Sequence, residues 1–403
     1  MKTRIILFSI LIFTSYTTYG QYAEGCDGKR YAADVWTSVN KSTVKYASTI
    51  PENQDLFIDI YQPIGDVLSK RPLILLAHGG AFIGGDKADM QVYCEAYAKK
   101  GFVTASVQYR LMTGWPSKES FYNALIEAVS DMKAAYRFFK SDAANANLYR
   151  VDTTKIFIGG YSAGAITALH TAYLDEGDYI DSLASRLLIK NGGINGNTGD
   201  AENRSHSTKD IFGVLNFSGA LAKSGLLDSG EPMLMSYHGD MDNVVPIDSS
   251  VFLGLVPLVG SRPLAVEATA KGIPNVLEVV PGGDHTNIYS DLKFLPNLLN
   301  FYYEATDLYY PRLCGFKADI RHTSLPIAVT NLWPNPSRDI IHIDFNTHIS
   351  SVIIYNSDGK FISKQAVDNT SKVIDISGLV SGSYYLLPVD KATFYKGIAF
   401  TKI

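Results

Sequence analysis

Four stretches of this sequence carry residues whose types and spacing could do chemistry together. The first, KIFIGGYSAGAITALH at 155–170, runs from a short hydrophobic strand pattern through GYSAG into a helix-forming run. Gly159, Gly160, Ala163 and Gly164 crowd around Ser162. A tight strand-to-helix turn needs such small neighbours, and it lifts the hydroxyl it carries above a sheet. The start of the following helix then points at that hydroxyl, where its partial positive charge stabilises developing negative charge. A serine hydroxyl becomes a nucleophile only when a base takes its proton, and the base needs a carboxylate to orient it. The order expected downstream is acid, then histidine, each just past a strand. PMLMSYHGDMDNVVP at 232–246 offers Asp240 and Asp242, and NVLEVVPGGDHTNIY at 275–289 offers His285. Motif position favours Asp242 over Asp240, while Asp284 adjoins the histidine too closely to reach its far ring nitrogen.

The fourth stretch is independent of these. LAHGGAF at 76–82 follows the strand pattern PLILL, where backbone N–H groups would hold the oxyanion of an acyl-transfer intermediate. Two successive glycines permit the close backbone approach this requires. The expected donors are the N–H groups of Gly80 and Ala81 together with that of Ala163, and His78 is read as a brace for the loop. Of the other histidines, His170 lies in a helical pattern and reads as packing, and His238 as support for the acid loop. His206 falls in a long loop, and His322, His342 and His348 in or beyond a linker. Tyr161, Trp115 and Phe82 are read either as pocket lining or as packing.

Elements that would position these residues are legible between Asp55 and Asn300. DLFIDIYQP, PLILLAHGG, FVTASVQYR, KIFIGG, FGVLNFSGA, PMLMSYHG and NVLEVVPGG read as strands. YCEAYAKKG, FYNALIEAVSDMKAAYRFFKSD and SAGAITALHTAYLDE between them read as helices. Short apolar strands alternating with helices predict a mostly parallel sheet covered on both faces, with its site beyond the strands' C-terminal ends. The segment 179–210 interrupts the alternation. Its Gly/Asn/Asp-rich half reads as a long loop, either a lid or substrate wall or a solvated excursion. After Cys314 the pattern changes to period-two strands separated by turn residues, which predicts a small antiparallel sandwich.

The 403 residues suffice for one large domain and a smaller one. With 46% hydrophobic and 19% charged residues the composition is that of a globular protein. A net charge of -4 without a Lys/Arg block argues against a nucleic-acid binder. Residues 1–20 pair Lys2 and Arg4 with an apolar run from Ile5 to Phe13, the layout of a secretory signal peptide, and no later run suits a membrane span. Cys26, Cys94 and Cys314 allow at most one internal disulfide. Cys26 and Cys314, near the two ends of the larger domain, are the preferred pair, with three free thiols as the alternative. No metal or organic cofactor is expected.

With these motifs in hand, residues 55–305 resemble an α/β-hydrolase of the carboxylesterase and lipase type with an HGG oxyanion loop. The resemblance rests on HGGAF at 78–82, GYSAG at 160–164, HGDMDNVVP at 238–246 and GGDH at 282–285. It implies Ser162 as nucleophile, Asp242 as acid, His285 as base, and Gly80, Ala81 and Ala163 at the oxyanion hole. Ala81 stands where many relatives have glycine, a change that leaves backbone donation intact. The last 75 or so residues resemble the type A C-terminal sorting domain of the type IX secretion system of Bacteroidota, through WPNPS, IIYNSDGK, IDISGLVSGSYYL and the terminal FTKI. That resemblance implies export through periplasm and outer membrane, to the surface or the medium. The expected organisation is a signal peptide at 1–20, the hydrolase at 21–316, a linker at 317–328 and the sorting domain at 329–403. The expected activity is cleavage of a small or polymeric ester. A peptidase of the same fold, or a catalytically silent binding or adhesion protein, is the alternative.

Overall fold

A computed structural model describes residues 25–27, 29–252, 254–315, 328–356, 361–367, 372–390, 393–395 and 397–403. The expected signal peptide, nearly all of the linker and the turn at 357–360 lie outside the described residues. The chain begins with an antiparallel hairpin of Val39–Ser48 (β1) and Asp55–Pro63 (β2). Arg71–Ala77 (β3) and Val103–Val107 (β4) follow, each buried along its whole length, as central strands covered on both faces are. Val151–Tyr161 (β5) and Ile211–Phe217 (β6) continue the sheet. Ala220–Leu221 (β7) then turns away from it, before Met233–Gly239 (β8) rejoins. Ser249–Phe252 (β9) and Val256–Gly260 (β10) complete a small sheet with β7, and Asn275–Val280 (β11) ends the large one. The large sheet runs β1-β2-β4-β3-β5-β6-β8-β11. It is parallel from β4 to β11 and antiparallel at the hairpin.

Side chains of a strand alternate between faces, and β3 feeds both layers accordingly. Leu73 and Leu75 join a core with the helices Lys118–Ala144 and Ala163–Tyr173, while Ile74 and Leu76 join a second core with Gln91–Ala98 and Leu295–Cys314. In chain order these helices are α1 (Gln91–Ala98), α2 (Lys118–Ala144), α3 (Ala163–Tyr173), α4 (Ser182–Lys190), α5 (Ala201–Arg204), α6 (Ser261–Ala270), α7 (Asn287–Ser290) and α8 (Leu295–Cys314). Cys26 is bonded to Cys314 across 288 residues, tying the segment before β1 to the end of α8. A cross-link closing so long a loop limits the unfolded chain by on the order of 5–6 kcal/mol in the entropic account. Cys94 is a free, buried thiol.

The segment 179–210 is not a loose excursion. It contains α4 and α5, and it is stitched to the flank of α2 by buried charged side chains. Arg137 donates from Nε to Asn203 and from its terminal nitrogens to the carbonyls of Asn195 and Thr198, and Lys133 donates to the Ile194 carbonyl. Asp131 accepts from Thr198 Oγ1 at 2.7 Å and from Arg110.

The C-terminal part is built from Val329–Trp333 (β12), Ile340–Phe345 (β13), Ser351–Asn356 (β14), Phe361–Ala366 (β15), Val373–Asp375 (β16), Gly382–Asp390 (β17), Thr393–Phe394 (β18) and Ile398–Lys402 (β19). One sheet runs β12-β13-β16, the other β15-β14-β17-β18 with β19 also paired to β17, all antiparallel. Ile341, Ile343 and Ile374 of the first sheet share a core with Val352, Ile354, Leu386 and Phe400 of the second.

Candidate active site

The turn after β5 answers why small residues crowd Ser162. Ser162 itself takes φ 53° and ψ -119°, an unfavourable conformation for a residue with a side chain, and caps α3 without a side-chain hydrogen bond. Its hydroxyl is therefore free for other work. The helix that follows runs so close to β3 that a Cβ on Gly164 would lie 2.1 Å from the Ala77 carbonyl oxygen. A side chain there would push α3 away from the sheet and move Ser162 with it.

Ser162, Asp242 and His285, 80 and 43 residues apart, meet above the ends of β5, β8 and β11. His285 Nδ1 lies 2.7 Å from Asp242 Oδ2, and His285 Nε2 lies 2.8 Å from Ser162 Oγ. All three are buried. A carboxylate only accepts hydrogen bonds, so Nδ1 carries the proton and Nε2 turns its lone pair to the serine hydroxyl. Asp242 Oδ1 accepts the N–H groups of Val244 and Val245 at 2.9 and 2.8 Å. Burial alone would raise the Asp242 carboxyl. Hydrogen bonds from His238, His285 and the Val245 N–H outweigh it, lowering the value from 3.8 to about 2. Asp242 is therefore ionised near neutral pH.

The neighbouring acids have different contacts. Asp240 is exposed and accepts the Gly282 N–H at 2.7 Å, bracing the loop that carries His285. Asp284 is occupied by the N–H groups of Thr286 and Asn287. His238, fully buried, donates from Nε2 to the Val245 carbonyl at 2.7 Å, and its Nδ1 accepts from Ser261 Oγ at 2.7 Å. Ser261 in turn accepts from Asn216 Nδ2, which also reaches Ser236. Nothing in the sequence pattern marks Asn216 or Ser261 for this role, because they join the site only through packing of β6 and α6.

On the other side of Ser162, the loop after β3 places Gly80, Ala81 and Phe82 in succession at φ 114°, 53° and 63°. Glycine is required at position 80, where a Cβ would lie 2.1 Å from the Gly84 carbonyl oxygen. The N–H groups of Gly80, Ala81 and Ala163 have no acceptor among the described residues. His78 is buried, stacks on Tyr109 at 4.3 Å between centroids and donates from Nδ1 to the Gly79 carbonyl at 2.7 Å. Burial lowers its pKa, favouring the neutral ring.

The other candidates separate. Phe82 is buried against Phe121 and Tyr109, which makes it packing. Trp115 is 91% exposed. His170 bonds the Ile166 carbonyl and the Ala222 N–H inside the core, and burial lowers it to about 4. His322 lies outside the described residues, and His342 and His348 belong to the C-terminal strands. Tyr161 has its hydroxyl engaged by the carbonyl of His285.

Comparisons with known proteins agree with this architecture. The BD-FAE family model matches residues 58–221, and the secretion system C-terminal sorting domain matches residues 331–395. No curated protein matches the chain at a significant level. Among solved structures, the apo form of esterase 2 from Thermogutta terrifontis aligns with a TM-score of 0.50 at 21% identity, covering 69% of this chain and 96% of that one. The butyrate-bound form of this thermophilic esterase from a Planctomycetes species gives 0.50 at 19%, covering 69% and 96%. The same esterase phosphonylated by cyclosarin gives 0.50 at 20%, covering 70% and 97%. At these identities the likeness speaks to the fold. Among the described residues no helix is long and apolar enough to cross a membrane. The sorting domain marks the chain for export to the cell surface or the medium. The chain has the α/β fold of these esterases, matches the BD-FAE family model over residues 58–221 and matches the secretion-system sorting domain near its C-terminal end.

Proposed function

We propose that this protein hydrolyses carboxylic esters outside the cell through an acyl-enzyme formed on Ser162. One observation carries the reading: an unbroken hydrogen-bonded line from Asp242 through His285 to Ser162 Oγ, ending beside N–H groups that have no acceptor. His285 Nε2 takes the hydroxyl proton as Ser162 Oγ attacks the ester carbonyl carbon. The resulting oxyanion is held by the N–H groups of Gly80, Ala81 and Ala163, each such donor typically lowering the barrier by about 3 kcal/mol. Collapse of the tetrahedral intermediate expels the alcohol, which takes its proton from His285. Water then attacks the acyl-enzyme, again losing its proton to His285, and the acid leaves as Ser162 is restored. Asp242 fixes the tautomer and stabilises the imidazolium without itself taking the proton. The butyrate and phosphonyl groups named for the Thermogutta terrifontis esterase are the kinds of molecule this arrangement would accept. Recognition of the C-terminal domain by the type IX secretion machinery is the partner interaction we infer.

The test is hydrolysis of p-nitrophenyl acetate and p-nitrophenyl laurate by the mature protein and by Ser162→Ala. Loss of about 10⁴-fold or more in kcat/KM with an unchanged fold is expected. Wild-type protein that is folded yet turns over neither ester, while cleaving peptides, would move the activity to the peptidase reading.

A further inference from the structure

One side chain touches all three moving parts of the site. Tyr161 ends β5 immediately before Ser162. Its Oη donates to the His285 carbonyl at 2.9 Å, and its ring centroid lies 5.3 Å from that of the imidazole with the planes tilted by 33°. Behind it stands Tyr289, edge-on at 4.9 Å, whose hydroxyl is 2.7 Å from Ser218 Oγ. Toward the oxyanion loop the fit is equally tight, since a Cβ on Gly79 would lie 2.7 Å from Tyr161 Cδ1. The glycine at 79 is thus explained by the ring of Tyr161, as the glycine at 80 is explained by the turn.

We propose that Tyr161 is a positioning residue that locks the histidine loop to the nucleophile elbow, keeping His285 Nε2 aimed at Ser162 Oγ and at the leaving group through both halves of the reaction. The proposal rests on the triad reading above. The segment carrying His285 spans only residues 281–286 between β11 and α7. The acid loop holds its near end, through Gly282 N–H to Asp240 and Met241 N–H to the Gly283 carbonyl. Tyr161 holds the far end, at the backbone of the histidine itself. His285 must serve two oxygens in turn, and small misplacements of a catalytic group cost large factors in rate. Burial raises the Tyr161 phenol to about 12, so the hydroxyl remains a donor wherever the enzyme works.

A residue that merely filled space would be served as well by phenylalanine. The experiment therefore compares Tyr161→Phe, Tyr161→Leu and Ser162→Ala with wild type, measuring kcat and KM on p-nitrophenyl acetate. Thermal midpoint and the low-field proton resonance of His285 Nδ1–H are measured on the same samples. Tyr161→Phe should lower kcat roughly tenfold, the worth of one hydrogen bond, with KM within about twofold. Its thermal midpoint should stay near that of wild type, and the resonance should broaden. Tyr161→Leu should lower kcat further. A Tyr161→Phe enzyme with wild-type kcat and an unchanged resonance overturns the proposal while leaving the triad reading intact. Turnover that survives Ser162→Ala overturns both.

Discussion

The loops around Ser162 and the C-terminal sandwich solve opposite problems. Among the described residues eight non-glycine residues have positive φ, and four of them, Ala81, Phe82, Ser162 and Ser218, follow β3, β5 and β6 at the site. None lies in residues 328–403. Polar groups divide the same way. Asn216, Ser236, His238, Asp242, Ser261 and His285 are all buried around the site, whereas the sandwich fills its centre with Ile341, Ile343, Val352, Ile354, Ile374, Leu386 and Phe400. Strained backbone and buried polar groups persist only where surrounding structure over-determines them. The hydrolase layers supply that surround through two cores and a disulfide. The sandwich needs only to bury apolar faces, so a period-two pattern is enough to specify it.

This contrast predicts where substitutions hurt. Gly164→Ala puts a Cβ against the backbone of Ala77 and should cost about 3 kcal/mol in denaturant unfolding, as overpacking does, with loss of activity as Ser162 is displaced. The pH dependence comes next. Asp242 has a folded-state value lowered from 3.8 to about 2. Its contribution to stability is therefore present above pH 4 and lost as pH falls through 2. The stability gap between wild type and Asp242→Asn should accordingly shrink by about 1 kcal/mol between pH 5 and pH 3, and an equal gap at both would contradict the assigned environment. The smallest effect belongs to the sandwich. Gly382→Ala meets nothing nearer than Tyr384 Cε2 at 3.8 Å and should stay within about 0.5 kcal/mol of wild type. A large cost there would break the contrast between the two regions.

Sequence reached the central strands because β3, β4, β6 and β8 are short, largely apolar segments between helical patterns, and it singled out Ser162, Asp242 and His285 because each falls just past a strand. It did not reach β1, where VNKSTVKYAS sits half-buried at the sheet edge and shows no apolar stretch. It left the role of 179–210 open. The glue there is Asp131, Lys133 and Arg137, charges that read as a solvated helix face yet are buried by the polar backbone they bind. The same limit hid Asn216, Ser261 and the true contacts of Tyr161. Their roles depend on which element packs beside them, and that information is spread over the whole chain.

The most direct test of the central claim is to quench the protein within its first turnovers of p-nitrophenyl acetate and locate the acetyl group by peptide mass spectrometry. A burst of p-nitrophenol near one equivalent, with the acetyl group on the peptide containing Ser162 and neither seen in Ser162→Ala, is the predicted result. Steady ester turnover with no burst and no adduct after quenching at several times, or an adduct on another residue that supports turnover, would contradict it.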